Sequence, residues 1–318
     1  MNQHGKSLAL IHVSIFLFGF SALFARLVNQ PSIIITFGRV FFSSIFLFAF
    51  TRFNKLNLKL DSKKDYPLII IAGAILAAHW FCFIQSIQLS TVAIGTITFS
   101  VFPLFTAFLE PIFFREKIKI RSVVCSIVML TGIFLLTRTG NDRESTQRLN
   151  GIIIGLVSGF TYAVLSLLNR NFSAKYKSEV IVFYEQLSAA IVILPFMILI
   201  GPTVTGRDMI LLAILGLVFT AIAHGLFIKG LRYVKVNTAA VISGLEAVYS
   251  IFLAFVLLRE TPEPNELLGG LIVIIIAGYI TLSREKHRKR RMIRRQAGAS
   301  VRSLPGLALL NNKNAKKQ

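Results

Sequence analysis

Long apolar segments that lack a recurring polar face constrain this fold more than any other feature of the sequence. Two examples are "PLIIIAGAILAAHWFCFIQSI" (67–87) and "GGLIVIIIAGYITL" (269–282). A helix of a soluble protein brings polar residues back every three or four positions to form a wet face, and these segments do not. With 54% hydrophobic residues and a mean hydropathy of +0.70, the chain favours a bilayer over water as its solvent.

Ten segments are apolar and long enough to cross a membrane, since a helical span needs about 20 mostly apolar residues. A barrel strand needs about half that length, so the segments predict helices rather than strands. The short links between them leave no room for a soluble domain of any size. The predicted spans, numbered one to ten, lie near residues 7–28, 32–51, 66–88, 91–114, 119–137, 150–169, 180–200, 208–228, 236–258 and 265–283.

The lysine and arginine residues predict the orientation of these spans. If the N-terminus is cytoplasmic, the segments on the cytoplasmic side carry 28 Lys and Arg residues and the loops on the outer side carry 5. Basic residues are concentrated on the cytoplasmic side of membrane proteins. The distribution therefore predicts a multi-pass protein of the inner (plasma) membrane with both termini in the cytoplasm.

Most of the net charge of +21 lies on the predicted cytoplasmic loops and on a basic segment near the C-terminus. The stretch "REKHRKRRMIRR" (284–295) follows the last span directly, where each basic side chain gains about 1 kcal/mol from anionic lipid. We expect no nucleic-acid partner, because no stacking aromatic residues accompany this run. Residues 284–318 are expected to form a basic cytoplasmic tail, largely disordered, that binds anionic lipid.

Two parts of the chain align without a gap at an offset of 144 positions. They are "FIQSIQLSTVAIGTITFSVFPLFTAFLEPIFFRE" (83–116) and "FIKGLRYVKVNTAAVISGLEAVYSIFLAFVLLRE" (227–260), and both end in Arg-Glu. Shorter matches in the same order precede and follow them. The chain is therefore interpreted as a duplication of a five-span unit, and each Arg-Glu pair is predicted to end a helix at the membrane surface.

The odd number of spans in each unit decides how the two copies are oriented. A five-span unit ends on the opposite side of the membrane from where it begins, so the second copy is inverted relative to the first. The predicted units are residues 1–137 and 150–283. Inverted repeats are typical of secondary transporters, whose substrate site lies near the midplane between the halves.

The whole pattern resembles the drug/metabolite transporter superfamily, and its EamA-type members in particular. Ten spans in two halves carry the resemblance, together with "FGRVFFSSIFLF" (37–48) in span two, "FIQSIQLSTVAIGTI" (83–97) across spans three and four, and the Arg-Glu that closes span four. The second copy repeats the last two features. The resemblance covers about residues 7–284 and implies an all-α membrane protein that moves small metabolites, often exporting amino acids or related compounds.

Enzymatic chemistry finds little support in the sequence. No Walker-type phosphate loop, GxSxG or HExxH motif occurs. Cys82 and Cys125 both lie within predicted spans, and the histidines have no metal-ligand spacing. We therefore expect no catalytic residue, no metal and no cofactor. A non-transporting membrane scaffold or sensor stays as an alternative of another class, although the links leave no room for the large soluble domain that would mark one.

Candidate binding residues are the polar and aromatic side chains at mid-membrane depth. At about 1.5 Å per residue, Glu246 lies roughly 15 Å into span nine, at the centre of a core roughly 30 Å thick. An ionisable side chain at that depth is costly, so it is a functional candidate, either as a carboxylate for a substrate amine or as a proton carrier. The predicted substrate-binding residues are His79, Trp80, Phe83, Phe99, Phe102, Tyr162, Ser243 and Glu246, with Glu246 and His79 as candidates for proton coupling.

Three further ionisable residues within spans receive separate predictions. Arg39 and Glu185 occupy matching repeat positions, but inversion separates them by about 10 Å in depth, so no ion pair is expected between them. Each should find another partner or extend to its own interface. His224 is predicted to lie close to the membrane surface and is therefore ranked below His79 as a binding residue.

The functional prediction is a secondary transporter, and specifically an exporter of a small amphipathic metabolite such as an amino acid, which works by alternating access of the two halves. The alternative within the same fold is an importer or exchanger of nucleotides, nucleotide sugars or phosphorylated sugars. Those anions need two or more basic side chains in the cavity. Only Arg26 and Arg39 lie within spans, both toward the outer side, which favours the first prediction.

Overall fold

Helices make up the regular secondary structure in the residues that the computed structural model describes, which are 3–113, 120–136, 142–173, 175–231, 242–276 and 278–279. The helices are α1 (Gln3–Leu27), α2 (Ser32–Phe53), α3 (Asp65–Leu89), α4 (Val92–Phe99), α5 (Phe102–Phe113), α6 (Ile120–Leu136), α7 (Asp142–Ser173), α8 (Ser178–Ile200), α9 (Gly206–Gly216), α10 (Ala223–Leu231), α11 (Leu245–Leu253) and α12 (Pro264–Ile276). A π-helical turn joins α9 to α10 (Leu217–Ile222), and another follows α11 (Ala254–Leu258).

All ten predicted spans correspond to these helices. Within the described residues, 7 helical segments are long and apolar enough to cross a membrane, and shorter apolar helices lie at Val123–Leu136, Leu245–Leu258 and Pro264–Ile276. The protein is an all-α integral membrane protein with ten helical spans in two inverted five-helix repeats. The repeat boundaries 1–137 and 150–283 stay predictions, and the basic tail 284–318 lies outside the described residues.

The helix of span six begins before the predicted span. The sequence predicts this span from residue 150, whereas α7 begins at Asp142. Residues 142–149 are largely polar, but Arg, Glu and Gln are good helix formers, and a helix can continue beyond the apolar segment that crosses the membrane. A large part of the predicted outer loop 138–149 is therefore helical.

Span four contains a break that the sequence analysis does not predict. Its first part, α4, ends at Phe99, and α5 begins at Phe102. The cause is Pro103, which has no backbone N–H and whose ring clashes with the carbonyl four residues earlier in a regular helix. The break places Phe99 and Phe102 in the middle of the span.

Side-chain caps and backbone conformation explain several helix ends. The Thr91 side chain accepts a hydrogen bond from the Ile94 N–H at the start of α4. The Thr205 side chain does the same for Asp208 at the start of α9. At Arg259 the backbone turns left-handed, with φ of 56°, directly after the π turn that follows α11. The second Arg-Glu pair therefore ends a helix as predicted, while Arg115–Glu116 lies outside the described residues.

The helices pack in reciprocal pairs across the two halves. Helix α3 packs on α7 and α10 packs on α1, which joins spans three and six in one case and spans eight and one in the other. Likewise α4 packs on α7 and α11 on α1, while α2 and α8, from spans two and seven, pack on each other. A pseudo-twofold axis between two inverted repeats produces this exchange of partners.

Glycine permits close helix contact at two further crossings, α3 with α8 and α9 with α2, which are also related by the exchange of the two halves. A side chain at Gly73 of α3 would collide with Ser188 of α8. A side chain at Gly216 of α9 would collide with Phe42 and with the Arg39 backbone of α2. Small residues let membrane helices approach at backbone distance, where packing rather than the hydrophobic effect holds them together.

The loops meet at two opposite ends of the helix bundle in the alternation that the span order predicts. At one end, the Gln88 amide donates to the Gln30 carbonyl at 2.9 Å, and the Gln30 amide donates to Thr203 at 3.1 Å. At the other end, the Tyr176 hydroxyl accepts a hydrogen bond from the Asp61 N–H at 3.2 Å and donates one to Asp65 at 2.7 Å. The first end is the one that the Lys and Arg distribution predicts to be outside.

Five charged residues form a paired network at the predicted outer end. Arg148 lies 2.9 Å from Glu266 and 3.4 Å from Glu263. Arg26 lies 3.8 Å from Glu260 and also donates to the carbonyl of Ser90. We refer to this group as the edge cluster, and its members are Arg26, Arg148, Glu260, Glu263 and Glu266.

The carboxylates of the edge cluster also hold the beginning of α4. Glu260 accepts a hydrogen bond from the Val92 N–H at 2.6 Å, and Glu266 accepts one from the Thr91 hydroxyl at 3.1 Å. The first N–H groups of a helix have no partner within the helix, so a carboxylate placed there satisfies them. The Glu of the second Arg-Glu pair thus joins the two halves in addition to following a helix end.

Apolar side chains cover the outward surface of the bundle, and polar side chains lie inside it. Phe48, Phe196 and Leu199 are at least half exposed. Arg39 and Glu185, in contrast, are fully buried. A water-soluble protein has the opposite arrangement, whereas a bilayer accepts apolar side chains outside and restricts charged ones to the bundle interior.

Candidate functional site

A small cavity lies between the two halves of the molecule. Its volume has room for about one water molecule, so the structure is closed around it. The lining residues are aromatic, apart from one carboxylate and two histidines. They are Phe18, His79, Trp80, Phe83, Phe99, Tyr162, His224 and Glu246.

The aromatic rings of this cavity contact one another directly. The ring centroid of His79 lies 4.8 Å from Trp80, 5.0 Å from Tyr162 and 5.3 Å from Phe99. Phe102 stacks on Phe99 at 5.4 Å and meets the edge of Tyr162 at 5.1 Å. The break between α4 and α5 therefore places a lining ring, Phe99, on one side and a ring packed behind it, Phe102, on the other.

Hydrogen bonds to span six fix the His79 ring. Its Nδ1 lies 3.1 Å from the Ser158 carbonyl and 2.9 Å from the Ser158 hydroxyl. A carbonyl oxygen only accepts, so in the neutral ring Nδ1 carries the hydrogen and Nε2 is an acceptor. Ser158, one helical turn before Tyr162 on α7, therefore orients His79.

Glu246 lies on α11 with 5% of its surface exposed. Its carboxylate has no hydrogen bond or ion pair among the residues that the structure describes. Ser250, one turn later, donates to the Glu246 carbonyl at 2.8 Å and to the Gly19 carbonyl at 3.1 Å, which fixes α11 against α1. The helix is thus held in place while the Glu246 carboxylate stays available at the cavity.

Arg39 is fully buried beside the cavity and does not extend to the interface. Its guanidinium carbon lies 3.1 Å from the centroid of the Trp80 ring. Its Nε donates to the Thr220 hydroxyl at 2.8 Å, and its Nη2 lies 3.4 Å from the Ser21 hydroxyl. The alternative that Arg39 reaches its own membrane surface is therefore wrong, because three different spans hold it inside.

The π turn between α9 and α10 places Thr220 for this contact. The Thr220 hydroxyl donates to the Leu215 carbonyl, five residues earlier, at 2.8 Å. One extra residue in a turn frees backbone carbonyls and rotates the following side chains, and such turns occur often at functional sites. The local irregularity of span eight therefore supplies the acceptor for Arg39.

Glu185 is a second fully buried carboxylate, on α8 and away from the cavity lining. Neither of its carboxylate oxygens makes a direct hydrogen bond in the described part of the chain, although the Asn169 side chain is close enough to interact with them. The side-chain amide of Gln186 also makes no hydrogen bond there. The sequence offered extension to the interface as one option for Glu185, and full burial excludes it. The backbone of Glu185 lies against Gly73 of α3.

The structure brings six of the eight predicted binding residues to the cavity and leaves two outside its lining. Phe102 packs behind Phe99 and Tyr162, and Ser243 is buried before the start of α11. The six that line the cavity are His79, Trp80, Phe83, Phe99, Tyr162 and Glu246.

Two lining residues, Phe18 and His224, are absent from the predicted set. His224 lies 5.8 Å from Trp80 between ring centroids, so its predicted position near the membrane surface is wrong. The predicted span ends near residue 228, whereas α10 continues to Leu231, so His224 lies farther from the inner end of the helix than predicted. The offset of 144 would have found it, because His224 is the repeat equivalent of Trp80.

No group of three or more His, Cys, Asp or Glu residues that could hold a metal ion occurs in the described ranges. The chemistry of the cavity is therefore that of aromatic faces, one carboxylate and two imidazoles, with a guanidinium behind Trp80. Such a lining can hold an apolar or aromatic body and a cationic group, through the carboxylate and the ring faces.

Comparison with known proteins gives one family match and several relatives. The family model described as "EamA-like transporter family" matches residues 5–138 and 149–283, once for each half. The chain is 26% identical over 302 residues to "Uncharacterized transporter YxxF" of Bacillus subtilis (strain 168), with 93% of each protein covered. It is 26% identical over 258 residues to the "S-adenosylmethionine uptake transporter" of Rickettsia felis, with 81% of this chain and 85% of the relative covered.

A solved crystal structure has a similar fold. It superposes with a TM-score of 0.63 and covers 88% of this chain and 98% of its own. The sequence identity is 17%, so this match concerns the fold alone.

Proposed function

The chain belongs to the EamA-like transporter family, within the drug/metabolite transporter superfamily, and from this premise we propose that it moves a small amphipathic metabolite bearing an amino group through the midplane cavity. The observation that carries the proposal is the Glu246 carboxylate, buried in an aromatic cavity between the two halves without a partner in the described residues. A substrate ammonium group would neutralise it, and the rings would pack against the rest of the substrate.

Alternating access supplies the transport cycle in this proposal. A cavity with room for about one water is too small for a metabolite, so the two halves must separate on one side to admit it. Rocking about the midplane would then expose the cavity to each side in turn. Glu246 and His79 are the groups that we propose for proton coupling, since both face the cavity and either can exchange a proton there.

Two substrates are consistent with this site. An amino acid was predicted from the sequence together with export. The relative from Rickettsia felis is named an S-adenosylmethionine uptake transporter, and that compound also carries an α-amino group, together with a sulfonium and an aromatic base. We propose S-adenosylmethionine uptake as the second candidate, because an aromatic cavity with one carboxylate suits a substrate that combines a flat base with positive charge.

Nucleotides and phosphorylated sugars fit the site poorly. Arg26 is paired with Glu260 in the edge cluster, which leaves Arg39 as the buried basic side chain near the described cavity. A single guanidinium next to a carboxylate does not balance a phosphate or diphosphate. Catalysis has no part in the proposal, because the named relatives are transporters.

The test is solute counterflow in liposomes, which detects a substrate in either direction of transport. Purified protein is reconstituted, the liposomes are loaded with one unlabelled compound, and uptake of the same labelled compound is followed. The panel contains amino acids, S-adenosylmethionine, nucleosides and sugar phosphates, with protein-free liposomes as the control. Counterflow of an amine-bearing compound supports the proposal, and counterflow of sugar phosphates alone contradicts it.

The proposed orientation, with both termini in the cytoplasm of an inner-membrane protein, has its own test. In a background without Cys82 and Cys125, single cysteines at positions 142 and 205 should react with an impermeant thiol reagent added to intact cells. Cysteines at positions 58 and 176 should react only after the cells are opened. Labelling in the reverse sense would invert the orientation.

A further inference from the structure

One nitrogen of the Arg39 guanidinium makes no hydrogen bond within the described residues. One face lies on the Trp80 ring, Nε donates to Thr220 and Nη2 to Ser21. Nη1 is buried and has no hydrogen-bond partner in the described residues. Burying a cationic donor without a partner is costly, and a guanidinium presents two parallel N–H groups that suit a carboxylate. The open Nη1 therefore marks a place where an anionic group would be stabilised.

Arg39 lies close to the cavity. Trp80 carries the guanidinium on one face and also lines the cavity. The charge of Arg39 is close enough to interact electrostatically with Glu246, His79 and His224, which all line it as well. Any movement of Trp80 that enlarges the cavity would bring the guanidinium to its wall.

Arg39 and Glu246 are opposite charges that do not pair with each other. No ion pair within 4 Å joins them among the described residues, although Glu246 lines the cavity and Arg39 lies against Trp80, which lines it as well. They come from spans two and nine, in different halves of the molecule. A ligand with one negative and one positive group fits between them, because each buried charge would then gain a partner.

We infer that Arg39 binds the carboxylate of the transported substrate, so that the substrate is a zwitterion with its ammonium group at Glu246. The inference rests on the proposed transport function and narrows its substrate to compounds with both an α-carboxylate and an α-amine. A substrate that lacks the carboxylate would leave Nη1 unpaired, and one that lacks the amine would leave Glu246 unpaired. Arg39 is in this sense the residue that distinguishes an amino acid from the corresponding amine.

Matched compounds test the inference on the unaltered protein. Three parents are paired with the analogues that lack only the carboxylate: L-phenylalanine with phenethylamine, L-methionine with 3-(methylthio)propylamine, and S-adenosylmethionine with its decarboxylated form. Competition in the counterflow assay gives relative affinities. Trp80 is the chain's only tryptophan, so its fluorescence reports binding at this site directly. We expect each transported parent to bind at least about tenfold more tightly than its analogue.

Variants then assign the difference to Arg39. Arg39→Gln should bring the parent and its analogue to within about twofold of each other, while Arg39→Lys should keep part of the preference because it keeps the charge but not the fork. Arg26→Gln is the matched control, since Arg26 is paired in the edge cluster, and it should keep the full preference.

Three results overturn the inference. They are an analogue that competes as well as its parent, an Arg39→Gln variant that keeps the full preference, and a wild-type protein that transports only compounds without an α-carboxylate. The last of these leaves the transport function intact. Counterflow of no compound at all in the panel would overturn the proposed function together with the inference.

Discussion

The edge cluster and the midplane cavity differ in whether their charged side chains are paired. In the edge cluster each arginine has a carboxylate within 4 Å, as Arg148 has Glu266 at 2.9 Å and Arg26 has Glu260 at 3.8 Å. At the midplane, Arg39 and Glu246 are both buried, and neither has an oppositely charged partner within that distance among the described residues. In the edge cluster an ion pair offsets the cost of burying Glu266, whereas at the midplane no ion pair within the described residues offsets the cost of burying Arg39 or Glu246.

The difference separates charges that hold the protein together from charges that remain available to a ligand. A paired arginine such as Arg148 links α7 to α12 and has little capacity left for a substrate. An unpaired carboxylate in an aromatic cavity can still form an ion pair with a ligand. Binding a cation there would recover the free energy that its burial costs. We therefore expect substitutions at the midplane to change transport, and substitutions in the edge cluster to change stability.

The largest effect on transport is expected from Glu246→Gln. The amide keeps the shape and hydrogen-bonding capacity of the side chain but removes its charge and its titration, so transport should fall at least about tenfold. Whatever transport remains should depend less on pH between pH 5.5 and 8. The measurement is counterflow at several pH values, with Glu260→Gln as the control. Normal transport across this range would show that Glu246 has a structural role. The binding site would then have to be assigned to His79 and Tyr162 instead.

A smaller loss is expected from removing aromatic rings of the cavity. Tyr162→Ala and His79→Ala should each reduce the transport rate about two- to tenfold, because each ring contributes stacking contacts to the substrate. Phe196→Ala, on the lipid-facing side of α8, is the matched control. Both cavity variants should insert and purify normally. Wild-type rates in both would show that these rings serve packing alone.

In the edge cluster, Arg148→Met should lower stability and leave substrate preference unchanged. The substitution leaves Glu266, whose side chain is 1% exposed, without its cation, so the free energy of unfolding should fall by about 1–3 kcal/mol. Thermal unfolding of the purified protein measures this, and Arg148→Lys should recover part of the loss. A changed preference among substrates, with normal stability, would contradict the division between the two regions.

The smallest effect is expected at the opposite end of the bundle, where Tyr176 contacts Asp65. The hydrogen bond to Asp65 raises the pKa of the Tyr176 hydroxyl above its usual value of about 10. The folded pKa is then higher than the unfolded one, so this stabilisation is present below about pH 10 and is lost as the pH rises through the folded value. Tyr176→Phe should lower the unfolding temperature less than Arg148→Met does, with transport unchanged. An equal or larger decrease would contradict this order.

Much of the fold and part of the site could be predicted from the sequence. The ten spans follow from apolar length, and Glu246 stands out because it is a carboxylate at the centre of such a span. The same reasoning missed the depth of His224 and the break in span four, because it assumed regular helices that end where the apolar run ends. A proline break at Pro103 and a π turn around Thr220 change the rotation of the residues that follow them.

Arg39 shows most clearly where the sequence is insufficient. Its depth was predicted correctly enough to exclude a pair with Glu185, but depth says nothing about which neighbouring helix lies beside it. The partners Ser21, Trp80 and Thr220 come from three spans, and Thr220 is 181 positions away in the chain. The sequence did contain a signal for the contact between Trp80 and His224, because the two are equivalent positions of the repeat. Residues near a pseudo-twofold axis lie opposite their own repeat equivalents.

The sequence by itself determined the solvent, the number of spans, the duplication and the inversion of the second half. These follow from one-dimensional rules, because in a bilayer every backbone polar group must be satisfied within its own helix and the length of an apolar segment decides whether it crosses. The tertiary structure decided which charged side chains form ion pairs and which do not. Pairing depends on the rotation of each helix about its axis and on contacts between residues more than a hundred positions apart in the chain. The Coulomb energy of two charges changes with the distance between them, and the periodicity of a sequence does not record that distance.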